Sequence, residues 1–211
     1  MLKKFIVLII LVSIVGAFIL PTGIVKIIKP QNIESVQKYS LIFPLDVRDC
    51  RVNKRGQLEL TGWFNQQRWY GLHRAYDVAV VEDTPVYMPA DGVVTKVYSY
   101  NYPRKINGKW QAGYGIYLEV EFDYEGQSLS MLFAHLNRVL VREGDIVAQG
   151  DTIALTGSTG LVDTAGRYYY APHLHFEVIK DGKKIPFTKE LGEAVRRDLG
   201  NKNPYIFTLR K

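Results

Sequence analysis

HLHFEVI, residues 173–179, reads as a β-strand. Successive side chains of a strand point to opposite faces, so Leu174, Phe176 and Val178 share one side. His173, His175 and Glu177 share the other. At a rise of about 3.3 Å per residue, the Cα atoms of His173 and His175 stand ~6.6 Å apart. Both imidazoles can then reach one metal ion, or one can bind metal while its neighbour faces a substrate.

The same texture extends outward. DVAVV (77–81), PVYMPA (85–90), GVVTKVYSY (92–100), GIYLEVEF (115–122), SLSMLFAHL (128–136) and DTIALTG (151–157) are short runs rich in Val, Ile, Tyr and Phe. Gly and Asp separate them, as at Asp91-Gly92, Glu125-Gly126, Gly150-Asp151 and Asp181-Gly182. Such spacing predicts an antiparallel sheet, sandwich or roll, and there is no βαβ alternation. NYPRKINGKWQAG (101–113) and LVDTAGRYYYAP (161–172) read as loops or hairpins at the rim of a cleft. Only TKELGEAVRRDLG (188–200) has a helical pattern, with Thr188 as the expected N-cap and Gly200 as the stop.

The chain opens with MLKKFIVLIILVSIVGAFIL. Phe5 to Leu20 is apolar on every side and follows two lysines, the pattern of an N-terminal hydrophobic helix. As a helix it spans about 24 Å, a little short of a hydrocarbon core of about 30 Å. It therefore reads as an uncleaved membrane anchor or as a cleaved signal, and either exports the remainder. Residues 21–40, with Pro21 and Pro30, read as a stalk. The expected organisation is leader 1–20, stalk 21–40, β domain 41–187 and C-terminal extension 188–211. The fold class expected is mainly β, with that leader helix and a short C-terminal helix.

Composition narrows the chemistry. Cys50 is the only cysteine among 211 residues, so neither an internal disulfide framework nor a multi-cysteine zinc knot is available. The formal charge of +6 suits an anionic partner such as a bacterial wall or a membrane surface. The positive charge is spread out, which argues against nucleic acid.

There are four histidines. His73 lies four residues before Asp77, in LHRAYD, and His135 lies in FAHLN. On a straight strand residues 73 and 77 would be ~13 Å apart. To share a metal, the chain must bend between them or form a helical turn there. Zinc suits imidazole and carboxylate donors, and a catalytic zinc keeps three protein ligands. HExxH is absent, so a general base must come from elsewhere, and a non-ligand histidine is the natural candidate. Spacing alone leaves the alternative open, that each histidine merely packs or faces solvent.

The motifs together say more. HRAYDVAVVEDTPVYMPADGVV (73–94), GYG (113–115), FAHL (133–136), VREGDIVAQGDTIALTGSTG (141–160) and APHLHFEV (171–178) resemble the lysostaphin-type, LytM-like zinc metallopeptidases of the duplicated-hybrid-motif type. The motifs stand in that family's order. The resemblance implies an antiparallel β-roll and one zinc ion per chain. It implies His73, Asp77 and His175 as metal ligands, with His135 and His173 as catalytic residues. Glu177, on the face of His175, is a candidate for orienting a ligand from behind. The substrates implied are cross-links or stem peptides of peptidoglycan in the bacterial envelope.

Two departures bear on specificity. Ala75 stands where the family usually has glycine. The 101–112 and 161–171 stretches are longer than usual, and Tyr168, Tyr169 and Tyr170 either line the groove, stack on a glycan or simply pack. GSTG (157–160) lacks the lysine of a phosphate loop and reads as a tight turn near the site. EGDIVAQGD (143–151) resembles the hairpins of biotinyl and lipoyl carriers, yet no lysine lies in 143–160 to carry the group. Two other functions stay in view: a non-enzymatic scaffold or activator of another wall hydrolase, and a binding module for an envelope partner.

Overall fold

The computed structural model describes residues 40–211 apart from 69–70, 101–103, 107–108, 112, 161–170, 201–206 and 210–211. The expected leader, nearly all of the expected stalk and the three tyrosines at 168–170 lie outside the described residues. Among the described residues no helix is long and apolar enough to cross a membrane.

The first strands are β1 (Leu58–Gly62), β2 (Gln66–Arg68), β3 (Gly71–His73), β4 (Tyr76–Ala79), β5 (Pro85–Tyr87) and β6 (Gly92–Tyr98). A hairpin of β7 (Arg104–Ile106) and β8 (Lys109–Gln111) follows, where the sequence left loop or hairpin open. Then come β9 (Ile116–Tyr124), β10 (Gln127–Val139), β11 (Ile146–Val147), β12 (Thr152–Thr156), β13 (His173–Lys180) and β14 (Lys183–Ile185). Helix α1 (Thr188–Asp198) and β15 (Phe207–Leu209) close the chain.

The main sheet has 11 strands and runs β11-β6-β9-β10-β13-β4-β1-β15, with β12, β5 and β14 attached beside that path. Its pairs are antiparallel except β1 with β15, which is parallel and was not anticipated. Short turns make the hairpins. Glu125 (φ 54°) and Gly126 (φ 76°) link β9 to β10, and Asp181 (φ 49°) and Gly182 (φ 70°) link β13 to β14. Two consecutive left-handed residues match the strand twist in a two-residue hairpin.

Strand β13 divides the protein into a packed side and a chemical side. Leu174, Phe176 and Val178 are buried in the core with Val78, Met131 and Phe133. Phe176 stacks on Tyr76 at 5.4 Å and meets Phe43 edge-on at 6.1 Å. Burying such a ring stabilises the fold by roughly 1.5–3 kcal/mol, and Phe176→Ala, which also leaves a cavity, would cost about 3–5 kcal/mol. Register then fixes the other face. His175 lies opposite Asp77 on β4 and opposite Ala134 on β10.

Helix α1 forms close to where its pattern predicts, with one correction. Its N-cap is Phe187 (φ −134°), and no side chain caps it. Thr188 sits inside the first turn, and its Oγ1 lies 2.6 Å from Tyr76 Oη. The Phe187 N–H donates to that same Tyr76 oxygen at 2.8 Å. A core tyrosine thus takes over the first turn that a cap would otherwise serve. Gly200, at φ +59°, ends the helix as expected. Leu191, Ala194 and Val195 of α1 are buried in the core.

Candidate active site

His73 ends β3 and Asp77 lies in β4, so the chain breaks direction at Arg74–Ala75. The bend, not a helical turn, brings His73 Nε2 to 3.3 Å from Asp77 Oδ2. From the neighbouring strand, His175 Nδ1 comes to 2.8 Å from Asp77 Oδ1. The three candidate ligand atoms all lie within 4.8 Å of one another. Tetrahedral bonds of about 2.0–2.1 Å place ligand atoms about 3.3 Å apart, and a cluster within 4.8 Å needs only small side-chain shifts to close on one metal ion.

The rings are also turned the right way. His73 Nδ1 is 3.3 Å from the Trp63 carbonyl and donates to it, which leaves Nε2 as the nitrogen turned toward Asp77. His175 Nε2 is 3.0 Å from Glu177 Oε1. With Nε2 donating there, Nδ1 is the nitrogen turned toward Asp77, and it carries a lone pair once the ring is neutral. Two ring nitrogens and a carboxylate therefore converge, and the residues fit a divalent metal.

Exposure is small, 4% for His73, 7% for Asp77, 8% for His175 and 6% for His135. Burial alone would raise Asp77, but hydrogen bonds from His175 and His73 hold it well below the usual carboxylate range. Burial alone would lower His175, but Asp77 and Glu177 outweigh it and push the imidazole up to about 9. A buried carboxylate and a buried imidazolium thus hold each other charged, and loss of one proton from His175 frees its Nδ1 lone pair.

His135 and His173 stand beside the cluster with their rings 4.9 Å apart. The His135 ring is 5.2 Å from that of His175. His135 Nδ1 faces the Thr159 carbonyl at 2.8 Å, and His173 Nδ1 faces the Ala171 carbonyl at 3.2 Å. Each therefore keeps an Nε2 lone pair. Burial pushes both below the ordinary histidine range, with the charge of His175 adding to the fall. Both are neutral imidazoles, able to accept a proton.

His135 reaches this place through an irregularity. Its φ is +58°, and the register of β10 against β9 and β12 shifts around it. A left-handed non-glycine residue costs on the order of 1–3 kcal/mol and persists only where its surroundings over-determine it. Here the Tyr114 carbonyl accepts the His135 N–H at 2.8 Å. Thr159 supports it from the other side. The Thr159 hydroxyl donates to the Leu136 carbonyl at 2.7 Å and accepts the Ile116 N–H at 2.9 Å. GSTG is thus a turn beside the site. It packs so tightly that a Cβ on Gly160 would lie 2.2 Å from Gly115 N.

Four neighbours were given no role from the sequence. Arg68 Nη2 donates to Asp77 Oδ2 at 3.1 Å. Gly62 faces Asp77 in register. Tyr114 and Lys184 both reach Glu177. Only Tyr114 carried a signal, its place in GYG; the others depend on pairings that local sequence does not reveal.

Three buried donors gathered on an antiparallel sheet, with two neutral imidazoles alongside, define the kind of centre at which metal-dependent hydrolases work. Residues 71–186, more than half of the chain, match the profile of Peptidase family M23, and the chain belongs to that family. It is 34% identical over 167 residues to the peptidoglycan DD-endopeptidase ShyC of Vibrio cholerae, covering 78% of this chain and 32% of that protein. A metalloprotease of Haemophilus influenzae is 36% identical over 121 residues, covering 56% of this chain and 21% of that one. The chain thus matches a third or less of the length of these relatives. Among solved structures, the antimicrobial peptidase lysostaphin of Staphylococcus simulans shares the fold. Its TM-score is 0.52 at 19% identity, over 82% of this chain and 61% of that one.

Proposed function

We propose that this chain is a zinc-dependent endopeptidase that hydrolyses peptide bonds in the cross-links or stem peptides of bacterial peptidoglycan, using one zinc ion per chain. His73 Nε2, an Asp77 carboxylate oxygen and His175 Nδ1 would hold the ion. Bound there, zinc supplies Lewis acidity, which polarises a carbonyl and brings the pKa of water within reach of neutral pH. The protein supplies the proton chemistry. His135 and His173 each present an Nε2 lone pair beside the cluster. One accepts the proton that the attacking water loses, and an imidazolium then delivers a proton to the amine that leaves. Glu177 holds His175 from behind through its Nε2–H.

The observation that carries this reading is the convergence of three ligand atoms within 4.8 Å, flanked by two neutral imidazoles. Family membership and the printed activity of the Vibrio relative supply the substrate class. A net charge of +6 suits an anionic wall. On this reading the sheet is the roll of that family. Residues 1–20 export or anchor the chain in the cell envelope, 21–40 form a stalk, 41–187 the peptidase domain and 188–211 an extension.

The test is the full-length chain, assayed for zinc content and incubated with purified peptidoglycan. Released muropeptides are followed by chromatography and mass spectrometry. Hydrolysis should stop with chelator, return with added zinc and fall steeply in His135→Ala. Hydrolysis that persists without metal would overturn the mechanism. A chain that binds zinc and releases nothing would instead support the role of a scaffold or activator of another hydrolase.

A further inference from the structure

The structure assigns Lys184 and Tyr114 to the metal centre as positioning residues, acting through Glu177 to hold the His175 ring with Nδ1 toward Asp77. The role rests on the metal reading proposed above.

Glu177 is 2% exposed, and all of its hydrogen bonds fall on one oxygen. Oε1 accepts from His175 Nε2 at 3.0 Å, from the Tyr114 hydroxyl at 2.8 Å and from Lys184 Nζ at 2.8 Å. Oε2 is buried and has no partner among the described residues. Leaving an acceptor unmade is costly. A carboxylate that concentrates three donors on one oxygen and none on the other is placed for the sake of that oxygen, which backs His175.

The two supports interlock. Lys184 Nζ also donates to the Tyr114 hydroxyl at 2.8 Å, and it lies 5.5 Å from the centre of that ring. The hydroxyl, having accepted from lysine, directs its own proton to Glu177. A buried carboxylate needs both a countercharge and hydrogen bonds to stay where it is. Lys184 gives the charge, and Tyr114 fixes the direction.

The fold sets both positions. Lys184 pairs with Ile179 across the β13–β14 hairpin. Ile179 shares its face with Glu177 and His175 by the two-residue period of a strand, so Lys184 stands on the face of the site. Tyr114 precedes β9, and its carbonyl accepts the His135 N–H at 2.8 Å. One residue therefore grips the proton-transfer side through its main chain and the metal side through its hydroxyl. Freed from this pair, the Glu177 oxygen loses its fixed place, and the His175 ring loses its directional partner.

The experiment measures zinc affinity of the full-length chain by competition with a chromophoric chelator. It compares wild type, Lys184→Met, Lys184→Arg, Tyr114→Phe, Glu177→Gln and the double variant Lys184→Met/Glu177→Gln. Long-range proton–nitrogen NMR reads the His175 ring, and thermal melting reports folding. The Lys184 side chain is 38% exposed, so its replacement does not disrupt the core. Lys184→Met and Tyr114→Phe should each weaken zinc binding by ~10- to 100-fold, as loss of a partner behind a ligand does. They should also weaken the His175 Nε2–H signal. Lys184→Arg should restore most of the affinity, and the double variant should bind no more weakly than Glu177→Gln alone. Wild-type affinity in Lys184→Met, or losses that add in the double variant, would overturn the role of Lys184 while leaving the metal reading intact. A wild-type chain that takes up no zinc would overturn both.

Discussion

Replacing Gly62 with alanine puts a methyl group where the Asp77 carboxylate lies. An added Cβ would stand 2.1 Å from Asp77 Oδ2, 2.7 Å from its Cγ and 2.5 Å from Arg68 Nη2. Ordinary contact begins at 3.4 Å, so the carboxylate must withdraw by about 1.3 Å. Arg68 can swing aside at little cost, but Asp77 is held between His73 and His175. Ligand distances in a metal site tolerate about ±0.2 Å, so that shift removes one of three donors. The backbone raises no other objection, and in an open strand alanine would stabilise by roughly 0.5–1 kcal/mol over glycine. Overpacking costs about 1–3 kcal/mol, so the clash decides the sign. Zinc affinity should fall by at least ~100-fold, the upper end for losing a mere supporting group. Linkage makes this visible in a melting experiment. Free zinc at 100 times the wild-type Kd stabilises wild type by about 2.7 kcal/mol, and the same zinc stabilises Gly62→Ala by only about 0.4 kcal/mol. A Gly62→Ala chain that folds and takes zinc with wild-type affinity would refute the placement of Asp77 in the centre.

Further outcomes follow from other contacts. Tyr76→Phe strips the Phe187 N–H and the Thr188 hydroxyl of their shared partner; denaturant unfolding should show a loss of about 1–3 kcal/mol. His135→Ala should retain zinc by elemental analysis yet lose ~10²–10⁴-fold in hydrolysis, because it removes a proton acceptor and not a ligand. For the metal-free chain, stability should peak near pH 6.5. His175 is raised from 6.5 to about 9 in the folded state, so its contribution is whole below 6.5 and is lost as pH climbs through 9. His135 and His173 are lowered, so theirs is present above 6.5 and is lost as pH falls below it. Each group changes the unfolding free energy by at most about 1.4 kcal/mol per pH unit. Unfolding curves of the chelated chain between pH 5 and 9 measure this. A steady rise from pH 6.5 to 9 would contradict the pairing of His175 with Asp77 and Glu177.

Much of the site was legible because its signals are local. Alternation in HLHFEVI put His173, His175 and Glu177 on one face, and the family motifs selected His73, Asp77 and His135. The arithmetic of a straight strand left a bend or a helical turn between residues 73 and 77 if they share a metal, and the chain bends at Arg74–Ala75. Interactions across strands were not legible. Lys184 reaches Glu177 because of hairpin register, and Thr159 supports His135 from 24 residues away. Nothing in FAHLN announces that His135 adopts φ +58°. The Thr188 cap failed for the same reason, since Tyr76 lies 112 residues earlier in the chain. Propensity rules score the residues beside a position, while tertiary partners decide its geometry.

The bond between Asp77 and His175 joins residues 98 positions apart. Loops of that span cost more entropy to close than local hairpins such as β9–β10. No segment of the chain shorter than this span carries a full donor set, so acquisition of the ion keeps time with completion of the sheet. A complete but unfolded polypeptide has the histidines but not the enclosure, and the cutting power proposed for it switches on only when these long-separated strands have docked.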